Sequence, residues 1–500
     1  MNIREAKEEI MRTVRAYLLR DEDGSLVIPR ERQRPVLLMG PPGIGKTAVM
    51  RQIAEEMGIG LVSYTITHHT RQSAIGLPMI ATRDYGGKEY SVTEYTMSEI
   101  VASIYDRIGQ TGIREGILFL DEINCVSETL APTMLQFLQY KTFGAHEVPE
   151  GFVIVTAGNP PEYNRSVRDF DLVTLDRVKR LDVEADLDVW KEYALGAGVH
   201  GAVLAYLSIR KEHFYSIRSE VSGRRFVTAR GWEDLSESLK AYEALGQPVG
   251  EAMVSSFLMD PEIAKDFTAY YEFWQKYSAA VRVPDILEGA VPEGSERLSD
   301  APFDEKMSLL GLFNSALMQE FRERAEETDI QKALFGILKE WKATAGGGQA
   351  DGGTGNSGAS FREFLAGRAE ERRRRMETLM SAHLLGRDAE RRERGLLKAL
   401  SELSRAEDFA GAKELFAARE AGRGERAART GAHLTNAFGF IARVFGEGQE
   451  MVLFLSGLSA GKDCLRFVRE NGNDAYYKYN RMLLLRDREE ALRGEVMKLI

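Results

Sequence analysis

Short runs of apolar residues in the first third of the chain predict buried β-strands. They are Val36 to Met39, Ile117 to Leu120 and Phe152 to Ala157. Continuous apolar runs are typical of strands covered on both faces, as in parallel sheets. After the first run, Ala48 to Met57 has the spacing of a helix, and Gly58 is placed to end it. The alternation of strands and helices predicts an α/β fold with a parallel sheet.

After the α/β core, the spacing of apolar residues is that of helices over most of the remaining chain. Residues 345–360 interrupt it, because their glycine content predicts a flexible linker. We therefore expect an α-helical lid and, beyond the linker, a separate all-α C-terminal region whose sequence does not indicate a role. The expected domains are an N-terminal helix (1–29), an α/β core (30–185), a helical lid (186–290), a helical connector (291–344), the linker (345–360) and an α-helical C-terminal domain (361–500).

Composition argues against several classes of protein. A chain of 500 residues with 44% hydrophobic content is too long for one core, so we expect several domains. Cys125 and Cys464 are far apart, so neither a disulfide framework nor a zinc cluster is expected, and a reducing cytoplasm is the expected location. The chain has no apolar run of about 18 residues, which argues against a membrane span. A net charge of -10 argues against general nucleic-acid binding.

Directly after the first strand, a glycine-rich sequence fits a phosphate-binding loop. Residues 40–47 match G-x-x-x-x-G-K-[ST] at every fixed position. Glycines let backbone N–H groups converge on phosphate oxygens, Lys46 supplies a positive charge, and the Thr47 hydroxyl can bind Mg²⁺. ATP or GTP with magnesium is therefore the expected ligand. The residues expected to contact it are Gly40, Pro41, Pro42, Gly43, Ile44, Gly45, Lys46, Thr47 and Ala48.

Polar residues that follow the other two strands add groups that can act on the nucleotide. Asp121 can hold the water shell of a magnesium ion, and Glu122 can orient or deprotonate an attacking water. Asn159 can contact the γ-phosphate or that water. Because the carboxyl ends of parallel strands meet at one edge of a sheet, we expect these residues to gather there and to hydrolyse nucleotide.

These motifs resemble the AAA+ ATPases, and within them the MoxR-like, dynein-related branch. The acidic pair resembles Walker B, and residues 156–160 resemble the sensor-1 strand. Residues 175–177 resemble the Leu-Asp-Arg segment that carries the arginine finger, although Val178 replaces the usual Phe. Residues 226–235 resemble the start of the sensor-2 helix. The resemblance covers about half of the chain and implies an AAA+ P-loop NTPase core with a helical lid.

The resemblance also implies a homo-oligomer, a hexameric ring in which a neighbour's arginine completes each ATP site. Arg177 is the expected arginine finger, and Arg168 and Arg180 are the alternatives. Arg230 is the expected sensor-2 residue, acting on nucleotide in its own or the adjacent subunit. A guanidinium group at such a site stabilises the charge of the transferred phosphoryl group.

Two segments lengthen the core and are predicted to form hairpins. The first, residues 76–92, has Gly86-Gly87 between β-forming residues. The second is residues 140–150. By resemblance they are the insert in helix 2 and the pre-sensor-1 hairpin, which project towards the pore of the ring.

The leading hypothesis is an ATP-driven motor that remodels or matures a protein client or complex. By resemblance, MoxR-like ATPases work as chaperones with von Willebrand factor A domain proteins, and such a partner would be a separate chain. One alternative is a nucleic-acid translocase, which ranks second because residues 140–150 contain only Lys141 and His146 against two glutamates. The other alternative is a nucleotide-gated regulatory scaffold.

Overall fold

A computed structural model gives the fold of most of the chain, and it forms two compact units. The first unit contains residues 1–186 and 373–390, and the second contains residues 187–372 and 391–500. The described residues are 1–68, 76–143, 146–163, 167, 170–220, 223–292, 295–345, 357–381, 384–406 and 408–482. Among them, no helix combines the length and the apolar character needed to cross a membrane.

The first unit alternates strands and helices, as predicted. Its elements up to residue 186 are α1 (Ile3–Leu18), β1 (Val36–Met39), α2 (Lys46–Met57), β2 (Gly60–Thr65), β3 (Pro78–Asp84), β4 (Glu89–Tyr95), α3 (Glu99–Thr111), β5 (Gly116–Asp121), α4 (Ala131–Tyr140), β6 (Thr142–Phe143), β7 (His146–Glu147), β8 (Phe152–Gly158), α5 (Leu172–Leu175) and β9 (Lys179–Asp182).

A five-stranded parallel sheet with the order β2-β5-β8-β1-β9 forms the centre of this unit. Every residue of β1 and β8 is buried, which explains their continuous apolar sequences. In the register, Met39 pairs with Gly158 and Thr65 pairs with Asp121. The carboxyl ends of β1, β5 and β8 therefore lie at one edge of the sheet, where the predicted site residues follow.

The N-terminal helix packs against this sheet unit through a buried face and a polar anchor. Ala6, Ile10 and Val14 are buried on α1. At the edge of this buried face, Lys179 at the start of β9 donates hydrogen bonds to Glu9 at 2.5 Å and to Thr13 at 2.7 Å. The anchor lowers the pKa of the Glu9 carboxyl, chiefly through the hydrogen bond from the Lys179 ammonium.

Both predicted hairpins are present. Strands β3 and β4 pair antiparallel, and Gly86 and Gly87 take φ angles of 67° and 82° in the turn between them. Only glycine adopts this left-handed conformation without strain, so the Gly-Gly pair defines the turn. The second hairpin is shorter and pairs β6 with β7.

The remaining elements are mostly helical. They are α6 (Leu187–Ala197), α7 (Gly201–Ile209), β10 (Ser216–Glu220), β11 (Gly223–Val227), α8 (Ala229–Leu245), α9 (Glu251–Ser255), α10 (Pro261–Val281), α11 (Val283–Leu287), α12 (Phe303–Ala345), α13 (Ser357–Ser381), α14 (Arg387–Leu403), α15 (Phe409–Phe445), α16 (Gln449–Ser459) and α17 (Lys462–Asn471). Strands β10 and β11 form an antiparallel hairpin.

The expected helical C-terminal region is present, and it packs against the connector instead of standing apart. Helix α12 shares one apolar core with α15, α16 and α17, and a second core with α13 and α14. The predicted linker, residues 345–360, extends too far towards the C-terminus, because residues 357–360 already belong to α13. The helix extends over them because Phe361 and Leu365, in its next turns, are anchored against α12. Residues 346–356 lie outside the described residues.

Lys141 holds the start of the second hairpin to the segment before β1. It has a left-handed backbone (φ 57°), and its buried ammonium donates to the carbonyl of Arg30 at 2.7 Å and to Oε1 of Gln33 at 3.3 Å. Arg30 in turn donates to the Lys141 carbonyl at 3.0 Å and pairs with Glu147 at 2.6 Å. Burial lowers the pKa of the Lys141 ammonium from 10.5 to about 8, because the charged form loses hydration.

The lowered pKa predicts a pH-dependent contribution to stability. Between pH 8 and pH 10.5 the unfolded chain keeps the Lys141 proton while the folded protein releases it, so folding becomes more favourable as pH rises. Relative to a Lys141→Met variant, the free energy of unfolding of the native protein should rise by roughly 2 kcal/mol across this window. Urea unfolding of both proteins at several pH values measures it. Lys88→Met, at an exposed position, is the control, and a constant difference between native and Lys141→Met would contradict the assignment.

Candidate active site

The loop between β1 and α2 has the backbone conformation of a phosphate cradle. Gly43 and Gly45 have φ angles of 76° and 93°, which side chains rarely tolerate. Gly40 is tightly packed, because a Cβ atom there would lie 2.7 Å from the carbonyl oxygen of Val183. The loop leads directly into Lys46, the first residue of α2. It therefore presents the N-terminus of a long helix, where free N–H groups favour an anion.

The Lys46 ammonium connects this loop with the end of β8. Its side chain is buried, with 8% of the residue exposed. It donates to the carbonyl oxygens of Gly40 at 2.8 Å and Pro41 at 2.9 Å, and to Oδ1 of Asn159 at 2.8 Å. The structure thus brings the side chain of Asn159 beside the lysine of the loop.

Thr47 and Asp121 are joined in the way that a magnesium site requires. The Thr47 hydroxyl donates to Oδ2 of Asp121 at 2.6 Å, and Oδ1 of Asp121 accepts from the backbone N–H of Glu122 at 2.9 Å. A hydroxyl beside a carboxylate, next to a phosphate cradle, is an oxygen donor set that suits Mg²⁺. The residues present therefore fit the predicted metal, with Thr47 and Asp121 as the groups that would hold it and its water shell.

Glu122 is in a strained backbone conformation. Its φ and ψ angles of 56° and 37° lie in the left-handed region, which is uncommon for residues other than glycine. The residue follows the last position of β5, and its own N–H is used to fix Asp121. Strain of this kind persists where surrounding structure enforces it and is frequent at active sites. It places a half-buried carboxylate next to the hydroxyl and carboxylate pair.

Neither Arg177 nor Arg180 is joined to this cluster by a hydrogen bond between described residues. Arg177 lies in the turn after α5, is exposed, and has no carboxylate within 4.0 Å in the described part of the chain. Arg180 is paired with Asp182 at 2.8 Å. Arg168 lies outside the described residues. Arg230 is an exposed residue in the first turn of α8 and belongs to the second unit.

Sequence reasoning missed Asn124. Its side chain is buried in the short turn after Glu122, and Nδ2 donates to the backbone carbonyl of Asn159 at 2.7 Å. The only local signal was a polar residue close to the apolar Ile123 and Val126. Its partner is distant in sequence, so the contact emerges only from the pairing of β5 with β8.

The parallel sheet, the phosphate cradle and the polar residues at the sheet edge define an AAA+ P-loop core. Residues 35–178 match the family described as AAA domain (dynein-related subfamily). This match covers the loop, the cluster of Thr47, Asp121 and Asn159, and the turn that carries Arg177. The match supports nucleotide binding by this region and ATPase activity in general.

Two curated relatives are replication factor C large subunits. The protein from Pyrobaculum calidifontis is 27% identical over 283 residues, which cover 54% of this chain and 59% of that protein. The protein from Pyrobaculum neutrophilum is 26% identical over 205 residues, which cover 41% and 42% of the two chains. The chain thus spans about half the length of these relatives.

Removing the Thr47 hydroxyl should weaken magnesium-dependent nucleotide binding. Thr47→Val keeps the shape of the side chain but loses the donor to Asp121 and the expected metal ligand. We expect the affinity for ATP with Mg²⁺ to fall about 10-fold to 100-fold, the scale of one hydrogen bond to a charged group. Titration with a fluorescent ATP analogue, with Mg²⁺ or with EDTA, measures the change. Thr47→Ser is the matched control, and equal affinities of Thr47→Val and Thr47→Ser in Mg²⁺ would contradict the role.

Proposed function

We propose that this protein hydrolyses ATP with magnesium and uses the energy to remodel or mature a protein client or complex. The observation that carries the proposal is the cluster at the sheet edge, in which Lys46 contacts Asn159 and Thr47 contacts Asp121. Magnesium, when bound, would neutralise phosphate charge beside Thr47 and Asp121. The loop and Lys46 would hold the phosphates, and Asn159 would orient the γ-phosphate or the attacking water. Glu122 would position that water and accept its proton.

We further propose that the active site is shared between identical subunits of a ring, by resemblance a hexamer. Arg177 is exposed and has no carboxylate within 4.0 Å among the described residues, although its charge acts on the nearby Asp171 carboxylate. Its guanidinium can therefore reach a neighbouring subunit. Arg180 is a weaker candidate because Asp182 already neutralises it. Arg230 would act from the helical lid, on its own or the adjacent nucleotide. An arginine supplied in trans contributes roughly 10³ to 10⁵ to the rate of phosphoryl transfer.

The first hairpin supports a protein client. Strands β3 and β4 and the residues next to β3 expose a set of apolar and aromatic side chains, and Ile80 is 81% exposed. Exposed apolar groups of this extent mark interaction sites. The charges of Arg83 and Glu94 neutralise each other across the strands at 2.6 Å. The exposed residues are Leu77, Met79, Ile80, Tyr85, Tyr90 and Tyr95.

The second hairpin lacks the free positive charge that a DNA translocase would need. Lys141 is buried under Arg30 and Gln33, and His146 is hydrogen-bonded to the carbonyl of Tyr95 at 3.1 Å. These contacts favour a protein client over a nucleic acid. The MoxR-like resemblance makes a separate von Willebrand factor A domain protein the first partner to test.

A second candidate is a role in replication within a larger complex, and the names of the two curated relatives favour it. It predicts that DNA stimulates ATP turnover and that the stimulation falls steeply as salt rises. If DNA does not change the rate of ATP turnover at low salt, the result would favour the remodelling of a protein client over a role in replication.

Mixing two inactive variants tests both hydrolysis and the shared site. Glu122→Gln and Arg177→Ala should each reduce ATP turnover by at least about 100-fold, because each removes a group used only during hydrolysis. Mixed as subunits of one assembly, they should regain about a quarter of native turnover, since random mixing leaves that share of interfaces with both groups intact.

The matched control for the arginine is Arg180→Ala, which should keep most of the native turnover. Absence of ATP turnover in the native assembly would overturn the proposed hydrolysis, and native turnover in Glu122→Gln would overturn the proposed role of Glu122. Failure of the mixture to regain activity, with both variants assembled, would overturn the shared site.

A further inference from the structure

Asn124 occupies a buried position between the two catalytic strand ends. It lies in the turn Ile123–Cys125, which follows Glu122, and only 3% of the residue is exposed. Its Nδ2 lies 2.7 Å from the backbone oxygen of Asn159. Because a carbonyl accepts and cannot donate, the amide nitrogen and not the amide oxygen must face Asn159. The hydrogen bond therefore ties the residue after β8 to the turn after β5.

The amide oxygen of Asn124 is tightly packed and makes no hydrogen bond between described residues. Oδ1 of Asn124 is buried and has no hydrogen-bond partner among the described residues. It lies against Gly158, where a Cβ atom would be 2.7 Å from Oδ1 and 2.9 Å from Cγ. A buried polar atom without a partner destabilises the fold, so an apolar residue would suit this space better on packing alone. The amide is better explained by what its nitrogen does for Asn159.

The backbone carbonyl and the side-chain amide of Asn159 have different partners. Its backbone oxygen is fixed by Asn124, and its side-chain Oδ1 accepts from the Lys46 ammonium at 2.8 Å. A small displacement of the backbone at Asn159 would move its amide away from the lysine and from the γ-phosphate position. We infer that Asn124 is a positioning residue for ATP hydrolysis, which holds Asn159 in place through its backbone carbonyl. This inference rests on the proposed function.

The kinetic test compares Asn124→Ala in two backgrounds. In the otherwise native assembly it should lower kcat for ATP about 10-fold to 100-fold, the scale expected when a catalytic group is misplaced, with KM changed by less than about twofold. In an Asn159→Ala background it should lower kcat no further, because the residue that it positions is gone. Should the smaller side chain destabilise the protein, Asn124→Leu fills the space, still lacks the donor and should give the same result.

A second comparison separates positioning from packing. Gly158→Ala should lower both the melting temperature and kcat, because the added methyl collides with the Asn124 amide. Adding Asn124→Ala to Gly158→Ala removes the two closest contacts and leaves Sδ of Met39 at 3.0 Å, so the melting temperature should recover in large part while kcat stays low. A purely structural role for Asn124 would instead let both recover together.

Three results would overturn the inference. They are native kcat in both Asn124 variants, equal losses of kcat in the native and Asn159→Ala backgrounds, and recovery of kcat in the double variant. If Glu122→Gln is inactive while Asn124→Ala is fully active, the inference fails and the proposed hydrolysis stands. If the native assembly itself does not turn over ATP, the proposed hydrolysis fails and the inference with it.

Discussion

The buried ammonium of Lys46 is the interaction on which the candidate site depends. A charged group can be buried only when its hydrogen bonds are satisfied, and two loop carbonyls and Asn159 provide acceptors for it. These contacts hold the loop after β1 against the end of β8. Phosphate oxygens are stronger partners for an ammonium than neutral carbonyls. The same lysine can therefore organise the loop and then transfer its hydrogen bonds to a nucleotide.

The parallel sheet explains why so few residues can form this site. Strands β1, β5 and β8 are neighbours, so the loop after β1 and the residues that follow β5 and β8 meet without long connections. The backbone at the end of β5 is locally strained, because Glu122 takes a left-handed conformation there. Within the first unit, Arg177 stays outside the cluster, which is consistent with a site that a second subunit completes.

The parts of the structure that were predictable from sequence are those encoded locally. The loop that contains Lys46 carries its motif in consecutive residues, and Gly86-Gly87 between β-forming residues favours a turn through its own backbone freedom. Asn124 was not predictable, because its partner is brought near only by the pairing of β5 with β8. The end of the linker differs from the prediction because Phe361, in the first turns of α13, packs against α12 on the other side of the linker. The proposed role of Arg177 lies at an interface with another chain, which the local pattern of one chain does not encode.

The most direct test of the site is the affinity of the native protein and of Lys46→Ala for ATP with Mg²⁺, measured by calorimetry. If Lys46 binds the phosphates, the variant should remain folded by circular dichroism and lose at least about 10-fold in affinity, the scale of a charge-assisted hydrogen bond. Equal affinities of the two folded proteins would contradict this account of the site.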